Sequence, residues 1–358
     1  MDKLLEMTQK FPMTKYWNDS CSIKELTYAI ERGAVGATTN PVIVKGVLEK
    51  ELDDYREFIT QLVKDNPTFS EDEIAWTVIE KMAMCGAKQL EPLFDTETGT
   101  GRLSIQTNTK YFNNWEKLVE QAVYFDTLAP NMQVKAPTTS AGIKAFEEMT
   151  YRGVSINATV SFSATQALAV GEAVERGLAR RTAEGHDNSK INPVCTIMVG
   201  RLDDWLREVA DKKNICVDPN AFHYAGIACV KKAYKIYKEK GYKTKMLSAA
   251  YRTPLQWLEF IGGDMIMTIP YKNQVPFNGS DFEIKARMDN EVDPYYIKEL
   301  RKLPDFIKAY DEMSIEEFDT FGPVNKTLDQ FAGRYDDLVK IIRKFMIKKK
   351  KKDYSRER

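Results

Sequence analysis

Lys135 lies in the run "MQVKAPTTSAG", between strand-forming apolar residues and a Pro-Thr-Thr turn. A strand end entering a sheet or barrel is a costly place for an ammonium ion, because burial penalises the charged form. One chemistry exploits that cost. A neutral amine attacks a ketone, water leaves, and the resulting iminium withdraws electrons from the neighbouring C–C bond. Several of those steps move protons and call for more than one acid or base in reach. Asp19, which closes "KYWND", and Glu97, in "DTETGTGRLS", are the available carboxylates. Asn157 and Thr159 stand two residues apart in "SINATVSF", so both face the same side of a strand. Arg201, in "VGR", and Arg252, in "AYR", each follow an apolar run. Paired guanidiniums there suit a tetrahedral anion. Taken singly, each residue has a structural role open to it: an ion pair for Lys135, a helix cap or loop charge for the carboxylates, helix-start salt bridges for the arginines. Together they argue for a reactive site.

Such a set must be held by alternating strands and helices. Apolar, strand-like runs occur at 15–19, 36–40, 89–95, 132–137, 155–162, 194–199, 245–251 and 264–270. Amphipathic runs separate them. "SIKELTYAIERG", for example, has Ser22 as N-cap and Gly33 as stop, and "TTSAGIKAFEEMTYRG" ends on Gly153. The pattern predicts an α/β fold, a (β/α)8 TIM barrel with additional C-terminal helices. An open doubly wound sheet is the rival, but no glycine-rich phosphate loop follows any candidate strand. In a barrel, reactive groups gather at the C-terminal strand ends, where Asp19, Asn40, Lys135 and Arg201 fall. Residues 1–346 read as a single barrel domain, with 271–346 as its helical extension. Residues 347–358, rich in lysine, read as a disordered, solvated tail.

Composition narrows the function classes. The 358 residues carry 52 basic and 52 acidic side chains, so no net charge draws the chain to nucleic acid or an anionic membrane. No stretch nears the roughly 18 consecutive apolar residues of a membrane span. The N-terminus lacks the basic-then-apolar design of a signal peptide. Five cysteines without a CxxC spacing fit reduced thiols in a cytoplasmic protein, and two histidines away from any cysteine pair give no metal site.

The segments "WNDS", "GATTNPVIV", "VKAPTTSAGIKAFEEMTYRGVSINATVSFSATQAL", "VGRLDDW" and "AAYR" closely resemble the transaldolase family and occur in that family's order, over roughly residues 15 to 270. The resemblance implies a barrel related to the class I aldolases, with no metal or organic cofactor. It implies transfer of a dihydroxyacetone unit from a ketose phosphate, such as fructose 6-phosphate or sedoheptulose 7-phosphate, to an aldose phosphate, in the pentose phosphate pathway. By motif, Lys135 corresponds to the Schiff-base lysine and Asp19 to the acid/base at C–C cleavage. Glu97 corresponds to the carboxylate that works with Thr159 through a water. Asn40 and Asn157 match residues that bind the dihydroxyacetone hydroxyls, Thr196 stands where serine is typical, and Arg201 and Arg252 match the phosphate arginines. Ala250 replaces a usual serine and Met198 a usual aromatic residue, which leaves the donor open to a variant phosphate or a sulfonate ketose. Two rival readings are an aldolase that releases free dihydroxyacetone and a non-catalytic sugar-phosphate binder. Glu97, where the fructose-6-phosphate aldolase branch typically has an amide, favours the transferase. Members of the family form several assemblies, so a homo-oligomer stays open.

Overall fold

The computed structural model describes residues 2–347. The lysine-rich tail anticipated at 347–358 lies outside them, apart from Ile347. Eight parallel strands close into one barrel in chain order. They are β1 (Lys15–Asn18), β2 (Gly36–Thr38), β3 (Arg102–Gln106), β4 (Met132–Pro137), β5 (Ile156–Ser161), β6 (Val194–Met198), β7 (Lys245–Ala249) and β8 (Ile266–Ile269). The fold is the (β/α)8 barrel with added C-terminal helices.

Register fixes which side chains look inward. The pairs Gln106↔Lys135, Lys135↔Asn157, Asn157↔Val194, Thr196↔Leu247, Leu247↔Ile266 and Trp17↔Thr268 carry one parity around the ring. Because side chains alternate along a strand, Trp17, Ser104, Lys135, Asn157, Thr196, Leu247 and Thr268 share the inner face. Trp17, Val194, Leu247, Ala249 and Ile266 form a small apolar cluster separate from the larger core between strands and helices. That cluster fills the lower barrel, so the polar residues crowd toward the C-terminal mouth.

Helix starts at the mouth are capped in sequence-legible ways. Ser22, Asn40, Thr139 and Ser163 each accept a backbone N–H in the first turn of the following helix. A 25-residue terminal helix, Gly322–Met346, packs on the helix Pro41–Lys50 and on the end of β5, and so runs across the mouth. Bidentate pairing of Arg343 with Glu71 and the bond from Tyr335 to Asp72 pin its far half.

One expected strand is corrected. Residues 89–95 are not a strand: Gln89 and Leu90 end the helix Glu71–Leu90, and Glu91–Leu93 form one turn of 3-10 helix. The run's apolar residues come from the end of that helix, Leu90, and from the turn, Leu93 and Phe94, and Pro92 could not have donated to a ladder. The third strand is "RLSIQ", after a turn containing Gly99 and Gly101 at positive φ.

Candidate active site

Lys135 enters the mouth from the inner face of β4 and is 6% exposed. Among the described residues its ammonium has no hydrogen-bond acceptor. Burial lowers its pKa, and the Asp19 carboxylate is the charge that opposes the shift. Asp19 follows β1 and is partly buried. Burial raises its pKa, against the pull of Lys135 first and of a hydrogen bond from Thr38 second. Thr38 Oγ1 donates to Asp19 Oδ1 at 2.6 Å and lies 2.7 Å from Thr268 Oγ1. The pair thus consists of an amine pushed toward its neutral form and a carboxyl pushed toward its protonated form. That combination suits nucleophilic attack coupled to proton transfer.

A layer of neutral groups surrounds the pair. Asn157 donates to Ser104 Oγ at 2.9 Å and accepts from Thr196 Oγ1 at 2.7 Å, which fixes its amide orientation. Thr159 is buried one register step above, opposite Pro137. The loop that leaves β4 for the helix Ser140–Tyr151 reaches across to its carbonyl through Thr138 N–H, 2.7 Å, and Thr138 Oγ1, 2.9 Å. Just beyond, β5 slips register, and Val160 adopts φ 52. A β-branched residue in that region is strained, and bulges beside active sites re-aim side chains. The fully buried Gln166 holds the irregularity, bonding Phe162 N–H and the carbonyls of Thr138 and Val160. Asn40 sits at the mouth after β2, where its Oδ1 caps the next helix.

Glu97 is not part of this cluster. It is exposed in the loop before β3, at the opposite, N-terminal end of the barrel. That loop is tied to barrel-bottom residues: Lys15 Nζ donates to Thr98 O at 2.7 Å, and Asn192 Nδ2 to Thr96 O at 2.8 Å. The misplaced third strand caused the error. Gln106, the last residue of β3, is the register partner of Lys135 instead, with its Oε1 buried and unpartnered among the described residues. The alternating "RLSIQ" after a Thr-Gly-Thr-Gly turn was the signal that could have found it.

The two arginines come together at one side of the mouth. They line, with Asp204, Lys326, Thr327 and Gln330, a cavity of about 320 Å³. Arg201 starts the helix after β6 and donates to Gln330 Oε1 at 2.6 Å and Thr327 Oγ1 at 3.3 Å, both on the terminal helix. Burial and then the Arg252 charge lower its pKa. Arg252 donates twice to Asp204 Oδ2, at 2.8 and 2.6 Å. Sequence reasoning did not place the terminal helix in this wall.

A family model described as transaldolase/fructose-6-phosphate aldolase matches residues 16–321. The chain belongs to that family. It is 30% identical over 231 residues to Transaldolase 2 of Streptomyces avermitilis, covering 62% of this chain and 61% of the relative. It is 28% identical over 215 residues to a transaldolase of Mycobacterium ulcerans, covering 58% and 56%. A transaldolase of Prochlorococcus marinus is 27% identical over 266 residues, 72% of each. The chain thus spans about three fifths of the first two relatives it matches. No helix among the described residues is long and apolar enough to cross a membrane.

Proposed function

We propose that the protein is a transaldolase-type transferase that cleaves a ketose phosphate through a Schiff base on Lys135. The observation that carries this reading is a buried lysine on the barrel's inner face, without a hydrogen-bond acceptor among the described residues, facing Asp19. The neutral amine attacks the ketose carbonyl, and the protonated Asp19 gives its proton to the carbinolamine hydroxyl, which leaves as water to yield the iminium and an Asp19 carboxylate. Asp19 then takes the hydroxyl proton as the C–C bond breaks, leaving a dihydroxyacetone unit on the lysine. Asn157 and Asn40 hold its hydroxyls, Thr159 and Thr196 line the pocket, and Arg201 and Arg252 hold the phosphate. An aldose phosphate accepts the unit in the reverse of these steps. No cofactor is required by this chemistry. The setting that goes with it is cytoplasmic, in the pentose phosphate pathway. Fructose 6-phosphate or sedoheptulose 7-phosphate is the donor to try first.

A second reading has a specific observation behind it. Glu97 lies away from Lys135 and does not mark a transferase; the residue beside Lys135 on the neighbouring strand is an amide, Gln106. An amide cannot exchange a proton at neutral pH. Its presence matches the residue type that the resemblance associates with the aldolase branch. Rates measured with fructose 6-phosphate, with and without erythrose 4-phosphate, separate the two. Dependence on the acceptor supports the transferase, and acceptor-independent release of dihydroxyacetone supports the aldolase.

A further inference from the structure

The anion pocket depends on a loop that should not hold its shape unaided. Arg252 follows Ala250, whose φ of 60° places a non-glycine residue in the left-handed region. Close packing adds to the constraint: a Cβ on Gly200 would stand 2.4 Å from Ala250 O and 2.7 Å from Arg252 Cγ. Gln256, fully buried, reaches back across this turn. Its Oε1 accepts Arg252 N–H at 2.6 Å and Thr253 N–H at 3.4 Å. Backbone N–H groups can only donate, so the amide must turn its oxygen to them and its NH2 away. The NH2 donates to Asp203 Oδ2, and Asp203 Oδ1 accepts Gly226 N–H at 3.1 Å. Asp203 is 2% exposed and touches none of the groups assigned to the reaction.

We infer that Asp203 is a positioning residue for anion binding, acting through Gln256 on the Ala250–Tyr251–Arg252 turn and so on where the Arg252 guanidinium points. Asp203 anchors Gln256 to the start of the helix Ala225–Lys240, and Gln256 anchors the turn. Its neighbour Asp204 plays a different part, pairing directly with the guanidinium. The inference deepens the reading of the arginine pocket as a phosphate site and rests on it.

The chemistry of the relay supplies its own control. In Asp203→Asn, the new amide must turn its NH2 toward either Gly226 N–H or the Gln256 NH2, so one donor faces another. The double variant Asp203→Asn/Gln256→Glu reverses the polarity: the new amide donates to the new carboxylate, which still accepts from Arg252 and Thr253. Calorimetric titration with inorganic phosphate tests this on the intact protein. Asp203→Asn should weaken phosphate by about tenfold. KM for fructose 6-phosphate should rise by a similar factor, more than kcat falls, and the double variant should recover most of the loss. In an Arg252→Ala background, adding Asp203→Asn should change phosphate affinity no further. Wild-type affinity in Asp203→Asn, or no recovery in the double variant, overturns the inference while leaving the pocket reading intact. A wild-type protein that binds no phosphate overturns the pocket reading itself, and the inference with it.

Discussion

Two buried cations stand at opposite ends of the barrel, and their surroundings differ in kind. At the bottom, Arg102 is 4% exposed, and all three nitrogens of its guanidinium donate to acceptors. It donates to Asn192 Oδ1 at 2.7 and 3.2 Å, to Met132 O at 3.1 Å and to Lys190 O at 3.2 Å, and lies over the Phe94 ring. Burial still pulls its pKa down to about 10, which leaves it charged at neutral pH. At the mouth, Lys135 is equally enclosed but has no such partner among the described residues. A buried cation whose nitrogens all donate is a structural plug; a buried amine with its donors idle is a reagent held ready. The same burial thus serves stability at one end and reactivity at the other.

Paired substitutions should separate the two roles most sharply. Lys135→Met is expected to abolish turnover while the melting temperature holds or rises, since a buried amine with no hydrogen-bond acceptor among the described residues is replaced by an apolar chain of similar length. Arg102→Met should instead cost about 3 kcal/mol in denaturant unfolding, by stranding the Asn192 carbonyl and two backbone carbonyls. The folded fraction of Arg102→Met should keep its activity. The comparison breaks if the two variants exchange these outcomes.

Asp19→Asn removes the one carboxylate among the described residues that acts on Lys135 and should lower kcat by about 10²- to 10³-fold, measured under donor saturation. Stability against pH tests the amine independently of activity. Lys135 has a lower pKa folded than unfolded, so the unfolded chain binds more protons between the two values, and stability rises with pH across that window, which ends at the ordinary lysine value. Unfolding curves of wild type should show this rise relative to Lys135→Met, and parallel curves would refute it.

Gln106→Glu sharpens the account of the mouth. A second anion beside Lys135 favours the charged amine, so the acid limb of the kcat/KM profile should move to higher pH. No movement would mean that residue 106 does not sense the lysine. The smallest effect is expected at Glu97→Gln, with kcat within about twofold of wild type because the side chain is exposed at the far end.

How much of this was legible in the sequence follows the reach of each signal. The barrel, the inward set around Lys135 and the helix caps rest on local periodicity and single-residue chemistry, and they read directly. The third strand is hidden because a helix end and the 3-10 turn after it place Leu90, Leu93 and Phe94 in a row that imitates one, and Glu97 is misassigned along with it. Gln106 was then invisible as a site residue. The crossing of the mouth by Gly322–Met346, and the Asp203–Gln256 relay, depend on contacts between residues some 50 to 130 positions apart. No periodicity encodes those.

The central claim is that Lys135 forms the covalent adduct. Borohydride reduction in the presence of fructose 6-phosphate, followed by peptide mass mapping, tests it most directly. A three-carbon adduct is expected on the Lys135 peptide and absent from Lys135→Met. An adduct on another lysine that persists in Lys135→Met would contradict it.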